Sequence, residues 1–317
     1  MTKIRSTDGS GVTDVRGQSG GGGMGGGSGF PFQIPGMGSG GGGGGGIGLP
    51  GGLKAGGGVL GIIVLLASIF LPKLLGAGGG GGSQAAGLPS GSGSSGNGAV
   101  VCTTELEQIV CGIDHYLDGY WTSALPKFFG VDYRSPATVE WFDADLQTGC
   151  GTGSPEMGPF YCPADEVVYL DLAFMQKLEN MLVGTTSDLA EQYIVAHEWG
   201  HHIQNILGTN AKVQQAQQND PSKANQYSVA LELQADCYAG VVIGDANANG
   251  LLDSATEVNE AIAAAKGVGD DAIQMKTQGH IDQDAWTHGS SQQRQTWFMT
   301  GFNSMDPTTC DTFSEVL

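Results

Sequence analysis

The clearest hydrophobic pattern of the chain lies between residues 189 and 207. This stretch contains no Pro, and its apolar residues recur at the spacing of a helix. They are Tyr193, Ile194, Ala196, Ile203 and Leu207. Gly208 follows, and Gly is a common stop signal just after a helix. We therefore predict a helix over residues 189–207 that ends at Gly208.

Further elements are predicted upstream of this helix. Residues 103–129 mix acids with apolar residues at helical spacing, which is typical of an amphipathic helix packed on a core. These apolar residues are Leu106, Ile109, Val110, Ile113, Tyr116, Leu117, Tyr120 and Trp121. Residues 138–142 and 166–172 are short runs that look like strands, the second rich in β-branched and aromatic residues. The pattern predicts an α+β fold that is mostly helical and contains a small sheet.

The first hundred residues have a different character. Most of the 56 glycines lie there, and residues 20–58 are mostly Gly without the triplet period of collagen. Such a segment cannot bury enough apolar surface to offset the entropy of ordering it. We predict a disordered Gly-rich segment over residues 1–58 and a Gly/Ser-rich linker over residues 77–98. Residues 99–317 are long enough for one domain with its own core.

An apolar run, residues 59–71, separates the two Gly-rich regions. The 18 residues from 55 to 72 are uncharged, which is at the short end for crossing a bilayer. A buried core helix is the alternative, although no other core sequence surrounds the run. We predict one transmembrane helix over residues 59–76. Basic residues precede the run at Lys3, Arg5, Arg16 and Lys54, so the positive-inside rule puts the amino terminus in the cytoplasm and the domain outside.

Cysteine usage agrees with an exported domain, because all six cysteines follow the apolar run. Proximity in sequence suggests the pairs Cys102–Cys111 and Cys150–Cys162, with Cys237–Cys310 as the third. A buried free thiol at Cys237 is the alternative. The net charge of −19 argues against a nucleic-acid partner, whose binding needs clustered Lys and Arg.

The predicted helix carries His197, Glu198 and His201 in the order H-E-x-x-H. Histidines four residues apart lie on one helix face and can reach one metal ion, and the carboxylate between them is placed to act on a water bound to that ion. This is the arrangement of zinc hydrolases, in which Glu198 would be the general base. The alternative for the two histidines is a pair of satisfied core side chains. His202 points about 100° away around the helix, and we interpret it as structural.

A catalytic zinc ion needs a third protein ligand. Glu232 is the best candidate, because it follows His197 by 35 residues, enough for the chain to turn and return along a second helix. Asp236 lies one helical turn further on and can accept the free ring N–H of a ligating histidine, most simply His197. The alternatives are a solvent-facing Glu232 and a surface Asp236.

Several runs together resemble the bacterial family of neutral zinc metallopeptidases, whose members are membrane-anchored. They are residues 158–163 (GPFYCP), 168–174 (VYLDLAF), 196–204 (AHEWGHHIQ), 232–240 (ELQADCYAG), 269–271 (GDD) and 287–294 (THGSSQQR). The resemblance covers roughly residues 100–310 and extends to the Gly-rich leader with its apolar segment. It implies a gluzincin-like, zincin-type fold in a single-pass protein of the bacterial cell membrane. It also implies His197, His201 and Glu232 as zinc ligands and Glu198 as the catalytic acid and base.

Two further motifs have open interpretations. His288 is a candidate donor to the oxyanion of the transition state, with Arg294 as the second candidate. The alternatives are a helix-capping His288 and an Arg294 paired with an acid such as Asp236 or Asp271. Residues 269–271 are either part of a site or a loop or helix cap.

Residues 245–253 resemble the start of a calcium loop, with oxygen ligands at its first, third and fifth positions. The twelfth position is Thr256, and Glu257 falls one place late, so an Asn/Gly-rich turn between helices is the default. The resemblance also suggests that the strand at 166–172 forms a sheet edge that pairs with an extended substrate. A plain core strand is the alternative.

These observations predict zinc-dependent peptide hydrolysis by a membrane-anchored extracytoplasmic enzyme. In this interpretation Glu198 acts as general base on a zinc-bound water. The partners are a peptide or protein substrate and the lipid bilayer, which is reached by one helix. A non-catalytic zinc-containing scaffold tethered to the membrane and a cell-wall peptide hydrolase are the alternatives.

Overall fold

The computed structural model describes residues 2–18, 100–182, 187–253 and 255–314. Within these residues helices predominate. The helices are α1 (Glu105–Phe129), α2 (Leu172–Leu182), α3 (Asp188–Ile206), α4 (Thr209–Asn219), α5 (Ala224–Ala248), α6 (Ala255–Gly267), α7 (Asp270–Gln278) and α8 (Ser291–Ser304). The strands are β1 (Asp8–Gly9), β2 (Val12–Asp14), β3 (Val100–Val101), β4 (Thr138–Trp141), β5 (Leu146–Thr148), β6 (Gly151–Gly153), β7 (Phe160–Cys162) and β8 (Val167–Leu170). The content is that of the predicted α+β class.

The two long predicted helices are confirmed as α1 and α3. Thr104 is the N-cap of α1. Its side chain accepts a hydrogen bond from the backbone N–H of Glu107, and the Glu107 side chain accepts one from the backbone N–H of Thr104. The apolar face of α1 then packs into the main core, where Leu117 and Trp121 are buried. Helix α3 ends at Ile206, and Gly208 adopts φ 72° between α3 and α4, so the stop signal is where the sequence places it.

Helices α5 and α8 cross at glycines. A Cβ on Gly240 of α5 would lie 2.0 Å from the carbonyl oxygen of Phe298, and one on Gly301 of α8 would lie 1.9 Å from that of Cys237. Only the absence of a side chain lets the two backbones approach this closely. This crossing fixes α8 against the helix that carries Glu232 and Asp236.

The largest sheet has the strand order β2-β4-β8-β7. Strands β2 and β8 both run parallel to β4, whereas β7 runs antiparallel to β8. Strand β8 is therefore internal, and the suggestion that residues 166–172 form the edge is wrong. The edge on that side is β7, which precedes β8 in the chain and pairs with it on its outer side. Strand β8 is instead the plain core strand of the alternative, and all four of its residues are buried.

The predicted disorder of residues 1–58 is wrong for residues 2–18. Strand β1 pairs antiparallel with β3, and β2 pairs with β4 in the register Val12↔Val139 and Asp14↔Trp141. The compositional argument fails here because this segment precedes the Gly-rich run, and its apolar residues are buried by contacts with the distant domain.

The predicted transmembrane helix at 59–76, the linker at 77–98 and the remainder of the leader lie outside the described residues. In the part of the chain that the structure does describe, no helix is both long and apolar enough to cross a membrane.

All three suggested disulfides are present: Cys102–Cys111, Cys150–Cys162 and Cys237–Cys310. The alternative of a free thiol at Cys237 is therefore wrong.

The suggested calcium loop is also wrong, because α5 continues through Ala248. Consecutive helical side chains point about 100° apart and cannot wrap around one ion. Instead Asp245 accepts a hydrogen bond from Tyr116, and the turn begins only at Asn249 and Gly250.

Candidate metal centre

The candidate metal centre lies where α3 meets α5. Glu232 Oε2 lies 3.2 Å from His197 Nε2, and Glu232 Oε1 lies 3.5 Å from His201 Nε2. One ligand atom from each of the three residues lies within 4.8 Å of the others. The structure thus brings together the two histidines and the acid that the sequence selects as metal ligands.

These separations fit one zinc ion. Zinc stands about 2.0–2.2 Å from imidazole nitrogens and carboxylate oxygens, so two tetrahedral ligand atoms lie roughly 3.4 Å apart. The two distances from the histidine nitrogens to the two oxygens of Glu232, 3.2 and 3.5 Å, lie on either side of that value. Three protein ligands leave one coordination position for water or substrate.

Gly200 allows the two helices to approach at this point. A Cβ on Gly200 would lie 2.9 Å from Ala235 Cα of α5 and 3.0 Å from its carbonyl oxygen. Any larger residue would push the helices apart and move Glu232 away from the histidines. The glycine inside the H-E-x-x-H run therefore has a packing role that sequence reasoning missed.

Asp236 orients His197 by contacting its ring nitrogen Nδ1. Its Oδ1 lies 2.9 Å from His197 Nδ1, and it also accepts a hydrogen bond of 2.5 Å from Tyr193 Oη. Arg294 completes the network by donating from Nε to Oδ2 at 2.7 Å and from Nη2 to Oδ1 at 2.8 Å. Burial opposes ionisation of Asp236, but the charge and hydrogen bonds of Arg294 and His197 outweigh it and hold its pKa below the usual range.

Arg294 is therefore joined to Asp236, the first of the two acids suggested as its partner. Its remaining side-chain contacts include the Tyr193 hydroxyl at 3.1 Å and the backbone carbonyl of Val268 at 3.3 Å. With its side chain buried in this network, Arg294 is better placed to fix Asp236 than to meet a substrate.

The electrostatics of the ligands suit a cation. Burial lowers the pKa of His197, but hydrogen bonds to Asp236 and Glu232 outweigh it and raise the value to about 10. Burial raises the pKa of Glu232, yet the charges of His201 and His197 bring it below the usual range. A ligating imidazole must be neutral, so metal binding at His197 would compete with its protonation.

Glu198 belongs to the same site but behaves differently. Its side chain is buried beside the ligands and lines the adjoining cleft. Burial raises its pKa, while His197 and His201 act in the opposite direction. A backbone hydrogen bond from Tyr161 also lowers it, which puts β7 next to this carboxylate.

His202 lies away from the site, as the sequence predicts. Its Nδ1 contacts Tyr161 Oη at 3.0 Å, and its Nε2 contacts the carbonyl of Arg134 at 2.8 Å. Burial lowers its pKa, so the side chain is a neutral bridge between α3 and the sheet.

His288 lines the same cleft as the ligands. Its Nδ1 lies 3.1 Å from Asp270 Oδ1. Asp270 Oδ2 accepts backbone N–H bonds from Thr287, His288 and Gly289 at 2.8, 2.7 and 2.9 Å. Asp270 thus holds the loop and the imidazole together, a role that the sequence left open between a site and a cap. The neighbouring Asp271 accepts from Ser291 and so fixes the start of α8.

The cleft over the centre has a volume of about 130 Å³ and a largely apolar wall. The charged and titratable groups in its lining include His197, Glu198, His201, Glu232, His288 and Arg294. The apolar wall includes Met157, Pro159, Phe174, Leu178, Val268 and Ile273. This composition is typical of a small-ligand or substrate site, in which a few polar groups converge in an apolar pocket.

Comparisons with known proteins agree with these features. The chain is 44% identical over 196 residues to uncharacterized protein YpfJ of Escherichia coli (strain K12), covering 62% of this chain and 67% of the relative. It is 42% identical over 207 residues to uncharacterized protein Rv2575 of Mycobacterium tuberculosis (strain ATCC 25618 / H37Rv), with the same coverage of 62% and 67%. No solved structure matches. The family model described as Putative neutral zinc metallopeptidase matches residues 1–313, and the chain therefore belongs to that family.

Proposed function

We propose that this protein is a zinc-dependent peptidase of zincin-type architecture that works outside the cytoplasm. The observation that carries the proposal is the His197–His201–Glu232 cluster at zinc spacing, with the buried Glu198 beside it in one cleft. A purely structural zinc site needs no such second acid and is normally closed by a fourth protein ligand.

Each residue has one role in this reaction. Zinc held by the cluster would supply a Lewis acid and lower the pKa of water. Glu198 removes the proton from the attacking water and delivers it to the leaving amine. Asp236, itself fixed by Arg294, keeps His197 Nδ1 occupied, which leaves Nε2 as the atom that would bind zinc. His288 donates to the oxyanion that develops as the carbonyl is attacked, and Asp270 sets the orientation of its ring.

The sheet edge supports an extended peptide as the substrate. Strand β7 is the edge on the side of the cleft, and its residues Phe160 and Tyr161 line that cleft. An extended peptide can add to such an edge through main-chain hydrogen bonds while its side chains enter pockets. The apolar wall formed by Phe174, Leu178 and Ile273 favours a bulky apolar side chain next to the cleaved bond.

The disulfides support the proposed compartment. Three disulfides in one domain are typical of an exported protein, because cytosolic thiols are kept reduced. Attachment to a bilayer through residues 59–76 stays a prediction.

The purified full chain tests the proposal. We expect one zinc ion per chain, and cleavage of unfolded casein that stops with chelator and returns with added zinc. Cleavage of peptidoglycan cross-links without cleavage of casein would favour the cell-wall hydrolase instead. Stoichiometric zinc without cleavage of either material would contradict the peptidase and favour the scaffold.

A further inference from the structure

Residues 2–18, named here the amino-terminal strap, are bound along their whole length to the domain that carries the metal centre. At one end Lys3 N donates to the carbonyl of Leu251 at 3.0 Å. In the middle the strap forms the ladders β1–β3 and β2–β4. At the other end Gly17 N donates to the carboxylate of Asp143 at 2.9 Å. The contacts are far too many for a loosely associated leader.

The strap also holds the start of the helix that carries the metal ligands. Arg5 Nη2 lies 2.6 Å from Oδ2 of Asp188, the first residue of α3, and Thr2 N lies 3.2 Å from the same oxygen. One turn later the buried Gln192 donates to the carbonyl of Ile4 at 3.0 Å. His197 follows Gln192 by five residues, so the strap supports the half of α3 that leads into the site.

The domain surface is shaped for this segment. A Cβ on Gly112 of α1 would lie 2.5 Å from Arg5 Cα and 2.6 Å from Arg5 N. Only glycine therefore leaves room for the strap backbone. Ile4 and Val12 are buried in the same apolar cluster as the helices, and the Arg16 guanidinium lies over the Trp141 ring at 4.9 Å while pairing with Glu107.

A β ladder requires its two strands to be in direct contact, about 4.8 Å apart, which no pair can achieve from opposite sides of a bilayer. The pairing of β2 with β4 therefore conflicts with an amino terminus in the cytoplasm and a domain outside. We propose that the strap is a built-in part of the metal domain and that the amino terminus lies on the same side of the membrane as the metal centre.

A pair of cysteines in the full chain tests this directly. Thr13 and Thr138 lie on neighbouring strands with their hydroxyl oxygens 2.9 Å apart. In cells expressing Thr13→Cys/Thr138→Cys, thiols are blocked with a permeant alkylating reagent before lysis. Mass spectrometry should then find most of the chain with residues 13 and 138 joined by a disulfide. The matched control is Thr13→Cys/Thr296→Cys, whose second site lies on the exposed face of α8, and it should give no such bond.

A single-site measurement gives the same answer without a disulfide. Gln18 is exposed at the end of the strap, and Thr296 is exposed on the domain. In spheroplasts an impermeant maleimide should label Gln18→Cys and Thr296→Cys equally. Labelling of Gln18→Cys only after permeabilisation, together with alkylated thiols at 13 and 138 in the pair, would overturn the proposal. Neither readout depends on peptidase activity, so this proposal and the proposed function can fail separately.

Discussion

Two glutamates of the metal centre are similarly buried, and yet their pKa values shift in opposite directions. Glu198 on α3 is 8% exposed and Glu232 on α5 is 5% exposed. Burial raises the pKa of Glu198, and the histidine charges only partly compensate. For Glu232 the charges of His201 and His197 outweigh burial and lower the pKa. The difference separates a carboxylate that can carry a proton from one that stays ionised to bind a cation.

The largest effect expected is the loss of the ligand. Glu232→Ala should remove one of three zinc ligands, and both bound zinc and peptide hydrolysis should be lost. Metal analysis after dialysis against zinc-free buffer measures this. Retention of one zinc ion per chain in this variant would mean that Glu232 is not a zinc ligand.

The second test separates the two carboxylates. Glu198→Gln should keep zinc and lower kcat by about 10²–10⁴-fold, because the proton carrier is lost while the ligands remain. The control is Glu191→Gln, a buried acid on the same helix that the reaction does not use. Equal kcat in the two variants would contradict the assigned role of Glu198.

The third test concerns the oxyanion. His288→Ala should lower kcat by about 10²–10³-fold with zinc content and KM nearly unchanged, as expected for a donor used only in the transition state. Asp270→Asn should give a smaller decrease, since it disturbs the ring through the 3.1 Å contact. A rise in KM with unchanged kcat would indicate ordinary substrate binding instead.

The fourth test replaces Asp236, the carboxylate that contacts His197 Nδ1. Asp236→Asn weakens the contact to the imidazole and leaves Arg294 without its paired charge. Zinc affinity should fall by about 10–100-fold. The free energy of unfolding should fall by about 3–5 kcal/mol, as when one partner of a buried ion pair is removed. Competition with a zinc chelator and urea unfolding measure the two effects, and wild-type values in both would refute the network.

The smallest expected effect is on stability and comes from Asp114, a buried acid away from the metal centre. Burial, with the charge of Asp118, raises the pKa of Asp114 to about 7. The folded state therefore favours the protonated form of Asp114. Ionisation of this side chain lowers the free energy of unfolding, an effect that is absent below pH 4 and complete above pH 7. Asp114→Asn should raise Tm at pH 8 and leave it nearly unchanged at pH 4. An equal shift at both pH values would show that ionisation is not the cause.

Much of the site could be predicted because its signals are local. His197, Glu198 and His201 lie within five consecutive residues of one helix, so helical geometry alone puts the two imidazoles on one face. Glu232 and Asp236 lie four residues apart on a second helix, so the same geometry puts both carboxylates on one face. The contribution of Asp270 could not be predicted, because it acts on a loop 17–19 residues later in the chain. The run at residues 269–271, which the sequence left open between a site and a loop or helix cap, was the available signal.

The sequence by itself determined α1, α3 and the short-range disulfides Cys102–Cys111 and Cys150–Cys162, and it selected the candidate ligands, since periodicity and spacing report on residues that are close along the chain. Only the tertiary structure decided that β7 is the sheet edge, that Arg294 pairs with Asp236, and that residues 2–18 join a strand more than a hundred residues away. These arrangements depend on which distant surfaces meet. The free energy of such contacts comes from apolar burial and strand pairing, and composition within one segment does not report it.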